Sequence, residues 1–266
     1  MYWQKRFYRD NPNKKLEDTI IEICKEHKDY GYRRVLGELK NRGIMINKKR
    51  VQRIMQKFNL QVTSFTRKNR KYSSYKGNVG KITPNRINRL FNTSVPNQKI
   101  TTDTTEFKYY EVGSNGRMTI KKLYLDPFLD MFNGEILSYS ITRTPSATGI
   151  LSAQKQAIEI TSDCLYRRTF HSDRGWAYQM KAYSFALKEN KIFQSMSRKG
   201  NCYDNSVMEN FFGILKQEIY YGTTYYSFDE LKNAIERYIK YYNEKRIKEK
   251  LGWLSPVQYR LNALIA

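Results

Sequence analysis

Carboxylates are missing from a long stretch of this sequence. The 266 residues include 48 Lys or Arg and 25 Asp or Glu, which gives a formal net charge of +23. Between Glu38 and Asp103 there is no Asp or Glu, while the same interval carries sixteen Lys or Arg. A solvated protein surface normally mixes charges of both signs, so this one-sided interval indicates a polyanionic partner, with nucleic acid as the obvious candidate.

Cysteine, histidine and long apolar runs are scarce as well. Three Cys and two His lie far apart in the chain and form no C-x-x-C pair, which argues against a zinc finger and against a disulfide framework. No apolar run is long enough to span a bilayer, and residues 1–10 have no apolar signal-peptide core. We therefore expect a reduced, cytoplasmic protein without a membrane partner.

The first 62 residues have the apolar spacing of three short helices. Gly43 fits the end of the second helix, and Asn47 is a good N-cap for the third. We expect residues 1–62 to form a helix-turn-helix-like DNA-binding domain whose third helix lies in a groove or along phosphates. A plain three-helix bundle has the same periodicity, but it would not need the missing acids. The cations predicted to contact DNA from the third helix are Lys48, Lys49, Arg50, Arg53 and Lys57.

The remaining chain is predicted to consist of a linker, an α/β core and a helical extension. Residues 63–97 are basic and polar, and we expect a linker that contacts DNA. Short runs of β-branched and aromatic residues then alternate with turn residues, starting with a strand over Ile100–Phe107, and helices follow. These patterns predict a mixed five-stranded sheet flanked by helices over residues 98–222 and a helical extension over 223–266. The linker cations predicted to contact DNA are Arg67, Lys68, Arg70 and Lys71.

Three carboxylates lie at positions where the pattern calls for an explanation. Asp103 is predicted inside the first strand, although Asp is a poor strand former. Asp173 follows the fourth strand, where α/β proteins build their sites. Glu209 begins a helix and borders its apolar stripe. Glu209 is either part of an S-x-x-E capping box with Ser206 or a side chain that points into an active site.

Other titratable side chains fit structural roles better. Asp126 and Asp130, on or after the predicted second strand, could approach the site, but their sequence context favours turn and surface roles. Asp204 has the context of a loop or cap residue. His171 is either a general base or a packed, hydrogen-bonded ring.

The motifs around the three acids resemble those of the DDE transposases of bacterial insertion sequences. The closest likeness is to the second reading-frame product of the two-frame, IS-three-type family. The matching motifs are Thr102-Asp103-Thr104-Thr105, His171-Ser172-Asp173-Arg174-Gly175 and Met208-Glu209-Asn210-Phe211-Phe212, followed by Leu215-Lys216-x-Glu218 and Tyr242-Asn243-x-x-Arg246. Thirty-five residues separate Asp173 from Glu209, as the family pattern requires.

This resemblance implies an RNase H-like core, an activity and a set of partners. It places an acidic triad on Asp103, Asp173 and Glu209, with two Mg²⁺ or Mn²⁺ ions for phosphoryl transfer, and a DNA contact on Lys216. It implies cleavage at terminal inverted repeats and attack by the new 3′-OH on another strand. The implied partners are DNA, further copies of the chain on DNA, and an upstream reading-frame product or fusion, in the cytoplasm and at the nucleoid.

Two other functions fit parts of the sequence. A DNA-binding regulator would use the basic N-terminal helices and would need no acidic triad. A ribonuclease or resolvase on the same fold would use the triad but would leave the basic N-terminal part without a purpose.

Overall fold

A computed structural model describes residues 11–62, 82–113 and 116–265. The chain divides into two compact units, Met1–Arg67 with Ile247–Leu254, and Lys68–Arg246 with Ser255–Ala266. None of the helices in the described part of the chain is both long enough and apolar enough to cross a membrane. The helices are α1 (Lys14–Glu26), α2 (Tyr32–Asn41), α3 (Lys48–Lys57), α4 (Ala147–Ile160), α5 (Lys181–Glu189), α6 (Ser206–Leu215), α7 (Phe228–Glu244) and α8 (Pro256–Ile265).

The first unit contains the three helices that the sequence predicts. Asn47 caps α3, since its side chain accepts a hydrogen bond from the Lys49 backbone N–H. Gly43, just after α2, has a φ of +77°, a conformation that glycine adopts without steric cost. The apolar faces of the helices meet in one core, which includes Ile20, Ile23, Val35, Leu39 and Val51.

A second stretch of chain, Ile247–Leu254, completes this core. Ile247 is buried among the three helices, and Trp253 packs against them. The indole of Trp253 lies so close to Gly37 that a Cβ at Gly37 would overlap the ring. Asn41 Nδ2 also donates to the Trp253 carbonyl, 2.9 Å away. The glycine in α2 is therefore required by close packing, which the helical periodicity alone did not indicate.

The second unit contains a mixed sheet. β3 pairs antiparallel with β1, β2 and β4, whereas β5 pairs parallel with β1 and with β6. The strands are β1 (Lys99–Thr102), β2 (Thr105–Val112), β3 (Met118–Asp130), β4 (Ile136–Thr142), β5 (Thr169–Ser172) and β6 (Phe193–Met196). The mixed sheet was predicted, but the described sheet has six strands and the predicted number of five was wrong.

The additional strand arises because the predicted strand Ile100–Phe107 is interrupted. Pairing with β3 stops after Thr102 and resumes at Thr105, but the register does not change across the gap. In that register Pro127 stands opposite Asp103, and proline has no N–H to donate to a sheet. Asp103 therefore lies in a two-residue break between β1 and β2, and its predicted place inside a strand was wrong.

Helices cover both faces of the sheet. On one face, Phe107, Leu123 and Leu125 form a core with α6 and α7. On the other face, Ile100 and Phe128 form a second core with α4 and α5. Side chains of successive strand residues point to opposite faces, so the apolar residues of β3 serve both cores.

Part of the predicted linker packs in the second unit. Within residues 82–97, Ile87 is buried, and the side chains of Asn85 and Arg89 bond to Asp204. The predicted C-terminal extension contributes residues to both units. The boundaries at residues 62, 97 and 222 stay predictions.

Candidate active site

Asp103 is held in the break between β1 and β2 by its own neighbour. Its Oδ1 accepts a hydrogen bond from the Thr104 backbone N–H at 2.8 Å. Short carboxylates often bond nearby backbone groups in this way and compete with strand pairing. The break therefore removes Asp103 from the sheet and fixes its side chain.

Asp173 directly follows β5, the parallel neighbour of β1. Thr101 pairs with His171, so both strands end at the same edge of the sheet, where Asp103 and Asp173 follow. Oδ1 of Asp173 accepts a hydrogen bond from the Gly175 backbone N–H at 2.7 Å. The structure thus brings these two predicted acids to one sheet edge.

Glu209 lies in the first turn of α6, on the exposed side of that helix. The expected capping box does not form, because Ser206 is already helical and Asn205 is the N-cap without a side-chain cap bond. The buried Asn205 instead accepts from Thr101 Oγ1 at 2.7 Å and donates to the Thr102 carbonyl at 3.3 Å. These two bonds fasten the start of α6 to the end of β1, beside Asp103.

Asp103 lies within electrostatic reach of both Asp173 and Glu209. Burial raises the pKa of the Asp103 carboxyl well above its usual range, and the charges of Asp173, Glu209 and Asp126 raise this pKa further. Burial also raises the pKa values of Asp173 and Glu209. Repulsion between neighbouring carboxylates favours binding of a cation.

The donor set fits a hard divalent cation. Every side chain in it offers carboxylate oxygen, the donor that Mg²⁺ and Mn²⁺ prefer. In the part of the chain that the structure describes, no three His, Cys, Asp or Glu side chains are already arranged around a common metal position. The assignment of Asp103, Asp173 and Glu209 as metal ligands therefore stays a prediction.

For Asp126 the sequence favoured a turn or surface role over an approach to the site. Asp126 is 1% exposed in the middle of β3, so the expected turn or surface role was wrong. Its carboxylate accepts from Thr104 Oγ1 at 2.6 Å and from Ser140 Oγ at 3.0 Å, which links β3 to β4 and to the break between β1 and β2. The Tyr178 hydroxyl lies 3.4 Å from Thr104 Oγ1. The only sequence signal was an Asp within a predicted strand, the signal that drew attention to Asp103.

Asp130 and His171 hold the surrounding backbone. Asp130, fully buried, accepts from the backbone N–H groups of Asn97 and Phe132, and burial raises the pKa of Asp130 to about 6. The surface position predicted for Asp130 was therefore wrong. His171 Nδ1 lies 2.9 Å from Ser195 Oγ, Nε2 lies 2.9 Å from the Asp204 carbonyl, and burial lowers the His171 pKa to about 4. This geometry supports the packed, hydrogen-bonded role for His171.

Asp204 anchors the loop that leads into α6. Its buried carboxylate accepts hydrogen bonds from Arg198, Arg89 and Asn85. The Arg198 side chain is the main cause that holds the pKa of Asp204 well below its usual range, and Arg89 adds to it. The loop role predicted for Asp204 agrees with this position.

Lys216 begins a π-helical turn, Lys216–Tyr220, directly after α6. Its Nζ lies 5.0 Å from the centroid of the Phe107 ring. The turn is anchored by a buried ion pair, in which Arg246 Nη2 lies 2.6 Å from Glu218 Oε1. This contact joins the motif that contains Lys216 and Glu218 to the motif that contains Arg246. The DNA contact of Lys216 stays a prediction.

The predicted basic face of α3 is exposed, but part of it has partners within the first unit. Lys57 Nζ lies 2.9 Å from Glu17 Oε1, and Arg50 donates to Asn13 Oδ1. The other three cations, which pair with no residue that the structure describes, are Lys48, Lys49 and Arg53. The predicted linker cations, which lie outside the described residues, are Arg67, Lys68, Arg70 and Lys71.

A mixed sheet with helices on both faces and acids at one edge is the architecture of an integrase-type core. Family models described as an integrase core domain match residues 94–202 and 209–264, and a model described as an HTH-like domain matches residues 11–70. The expected fold class, an α/β core after a small helix-turn-helix-like region, is confirmed.

Known transposases are similar to this chain over most of its length. An uncharacterized transposase-like protein of Haemophilus influenzae is 48% identical over 221 residues, which cover 83% of this chain and 96% of that protein. The putative transposase InsK for insertion sequence element IS150 of Escherichia coli K12 is 43% identical over 246 residues, which cover 92% of this chain and 82% of that protein. The chain belongs to the insertion-sequence transposases, and the resemblance of its motifs to that family is confirmed.

A solved structure with a similar core is the HTLV-2 integrase catalytic core domain in complex with magnesium. It is 20% identical to this chain, with a TM-score of 0.46, and the match covers 62% of this chain and 97% of that one.

Proposed function

We propose that this transposase binds the terminal inverted repeats of its element, hydrolyses a phosphodiester there, and uses the new 3′-OH to attack another DNA strand. The observation that carries the proposal is the meeting of Asp103 and Asp173 at one sheet edge, with Glu209 within electrostatic reach. Folding alone gives no reason to bring acids from three separate elements together, because their negative charges repel.

The three carboxylates would hold two Mg²⁺ or Mn²⁺ ions. Such a pair, when bound, stabilises the attacking and leaving oxygens of an in-line phosphoryl displacement. In both Asp103 and Asp173 a backbone N–H fixes Oδ1, and none of the described residues donates a hydrogen bond to Oδ2. These bonds hold each side chain in one orientation before substrate arrives.

DNA binding is assigned in this proposal to the exposed cations of α3 and to Lys216, which follows Glu209 by seven residues. The reaction also requires two element ends, so further copies of the chain would assemble on DNA, at the nucleoid in the cytoplasm. An upstream reading-frame product, fused or separate, belongs to the same proposal.

The test is cleavage of labelled element ends in the presence of Mg²⁺. We expect Asp173→Asn to lower the cleavage rate on the order of a hundredfold or more, because removing even an outer partner of a metal ligand costs 10- to 100-fold. DNA affinity, measured without metal, should stay within about twofold, since Asp173 lies outside the basic α3 face.

Asp229→Asn is the matched control, because Asp229 is an exposed acid at the start of α7, outside the site. It should cleave like the unchanged protein. Cleavage by Asp173→Asn at the rate of this control would contradict the proposed chemistry, and it would favour the DNA-binding regulator.

A further inference from the structure

A strongly basic cleft lies between α5 and the first residues of β6, within the second unit. Its volume is about 510 Å³, and none of the described Asp or Glu residues lines it. Its cationic residues are Arg86, Arg167, Lys181, Lys188 and Lys191. All five side chains are exposed, and none forms an ion pair with a residue that the structure describes.

Two of these cations stack on one aromatic ring. The guanidinium carbon of Arg167 lies 3.6 Å from the centroid of the Phe193 ring, and that of Arg86 lies 4.4 Å from it. A guanidinium placed over a ring keeps its N–H groups at its edge, where they can bind phosphate oxygens. The neighbouring Arg168 is different, because it donates to the Ile158 carbonyl at 2.7 Å and serves the fold.

The α5 side of the cleft also has no counter-charge. Lys181, Phe185 and Lys188 are four and three residues apart, so they share one helix face. The Phe185 side chain is 60% exposed between the two lysines. The acid of this helix, Glu189, lines a different cavity between α4 and α5. The cleft is therefore a concave positive surface with an apolar strip.

The cleft and the three acids lie at opposite ends of the parallel strands. Phe193 begins β6 and pairs with Thr169 at the start of β5, whereas Asp173 follows the end of β5. Four residue steps of about 3.3 Å each, from Thr169 to Asp173, separate the two ends by roughly 13 Å. The cleft is therefore a separate place on the core.

We propose that this cleft binds the phosphate backbone of duplex DNA, apart from the phosphate that reacts. The inference depends on the proposed function in taking DNA as the polyanion. Because Arg86 and Arg167 already stack on the Phe193 ring, the ring offers little surface for unpaired bases, the contact that single-strand binders use. The contact is expected to be electrostatic and independent of DNA sequence.

The test compares two double charge reversals in the full chain. Arg167→Glu with Lys181→Glu changes the cleft, and Lys155→Glu with Lys240→Glu makes the same change in net charge on exposed residues outside it. Duplex affinity is measured by fluorescence anisotropy at several salt concentrations without metal. We expect the cleft variant to bind at least about tenfold more weakly, and its log–log salt slope to be smaller by about 2, which corresponds to two lost phosphate contacts.

Equal losses in both variants, or tighter binding of single-stranded than duplex DNA by the unchanged protein, would overturn the inference. The neutral pair Arg167→Gln with Lys181→Gln should show about half of the loss, and equal melting temperatures of all variants verify folding. A cleft variant with unchanged affinity, beside an inactive Asp173→Asn, refutes only the cleft. An active Asp173→Asn beside a weakly binding cleft variant refutes only the proposed chemistry.

Discussion

At the scale of single residues, the site depends on short bonds between carboxylates and nearby backbone. Asp173 Oδ1 bonds the N–H of Gly175, two residues further on, and this turn leaves little room at the glycine. A Cβ at Gly175 would stand 2.9 Å from Asp173 Oδ1 and 3.3 Å from the Tyr178 ring. The orientation of the acid and the absence of a side chain at Gly175 are therefore linked.

Gly175→Ala should impair the site without unfolding the protein. Its φ of −57° suits alanine, so the backbone accepts the change, but the new methyl group displaces the Asp173 carboxylate. We expect the Mg²⁺-dependent cleavage rate to fall about tenfold, in the range found for disturbed partners of metal ligands. Cleavage assays stopped at fixed times measure the reaction rate, and thermal unfolding of the same sample measures the stability.

Gly213→Ala provides the comparison for that variant. Gly213 lies in α6, four residues after Glu209, and nothing lies within 4 Å of a Cβ built there. Alanine should stabilise the helix by up to about 1 kcal/mol and leave cleavage unchanged. If both glycine variants lost activity equally, the contact with Asp173 would not be the cause.

The sequence predicted these acids better than it predicted their support. Asp103 and Asp173 could be found from motifs, and also because Asp103 is an Asp within a predicted strand and Asp173 follows the end of one. The role of Asp126 could not, because it depends on which residues of β3 and β4 stand beside the break between β1 and β2. The pairing register places Thr104, Asp126 and Ser140 in one row. This register cannot be predicted from the local sequence pattern.

At the scale of elements, Asp204 joins the loop before α6 to the segment that contains Asn85 and Arg89. The carboxylate is fully buried, while the guanidinium groups of Arg89 and Arg198 are about half exposed. Glu209 follows five residues later. The position of the Glu209 helix therefore depends on charged bonds formed by a residue outside the acidic site.

Asp204→Asn should destabilise the second unit by about 1–3 kcal/mol, the cost of losing hydrogen bonds to charged groups. Because the folded state lowers the Asp204 pKa, this stabilisation is present above the unfolded pKa of about 3.9 and is lost as pH falls through the folded pKa. Denaturant unfolding from pH 3 to pH 8 measures the difference between the two proteins. A difference that stayed constant below pH 4 would refute the ionic account.

The elements themselves were largely predictable, and their ends were not. The three N-terminal helices follow from apolar spacing, and Asn47 caps α3 as expected. The start of α6 differs from the capping-box pattern because Asn205 bonds Thr101 and Thr102, which lie about one hundred residues earlier. These tertiary hydrogen bonds of Asn205 replace the expected local capping bond, and they can be seen only in the folded structure.

At the scale of the whole molecule, the first unit is built from two stretches that are far apart in the chain. The C-terminal stretch supplies Ile247 and Trp253 to a core made otherwise by α1, α2 and α3. Trp253 has a φ of +68°, which is unusual for a residue with a side chain. Packing of its indole against Gly37 offsets the cost of this conformation.

Trp253→Ala should therefore loosen helices that are two hundred residues away in sequence. Losing a half-buried Trp costs less than the 3–5 kcal/mol of a fully buried one, so we expect about 2 kcal/mol. Hydrogen exchange should become faster in α1, α2 and α3 and stay unchanged in the sheet. Leu165→Ala, at a side chain that is 96% exposed, is the control and should change neither region. Unchanged exchange in the three helices would show that they fold without this stretch.

The constant register across the break at Asp103 also limits which insertions and deletions the chain can accept there. Side chains alternate between the faces of a sheet, so the loss or gain of one residue in the break would turn every side chain of β2 to the other face. Phe107 and Tyr109 would then leave the core. Insertions and deletions of odd length between Thr102 and Thr105 would therefore empty this part of the core unless a bulge absorbs the change.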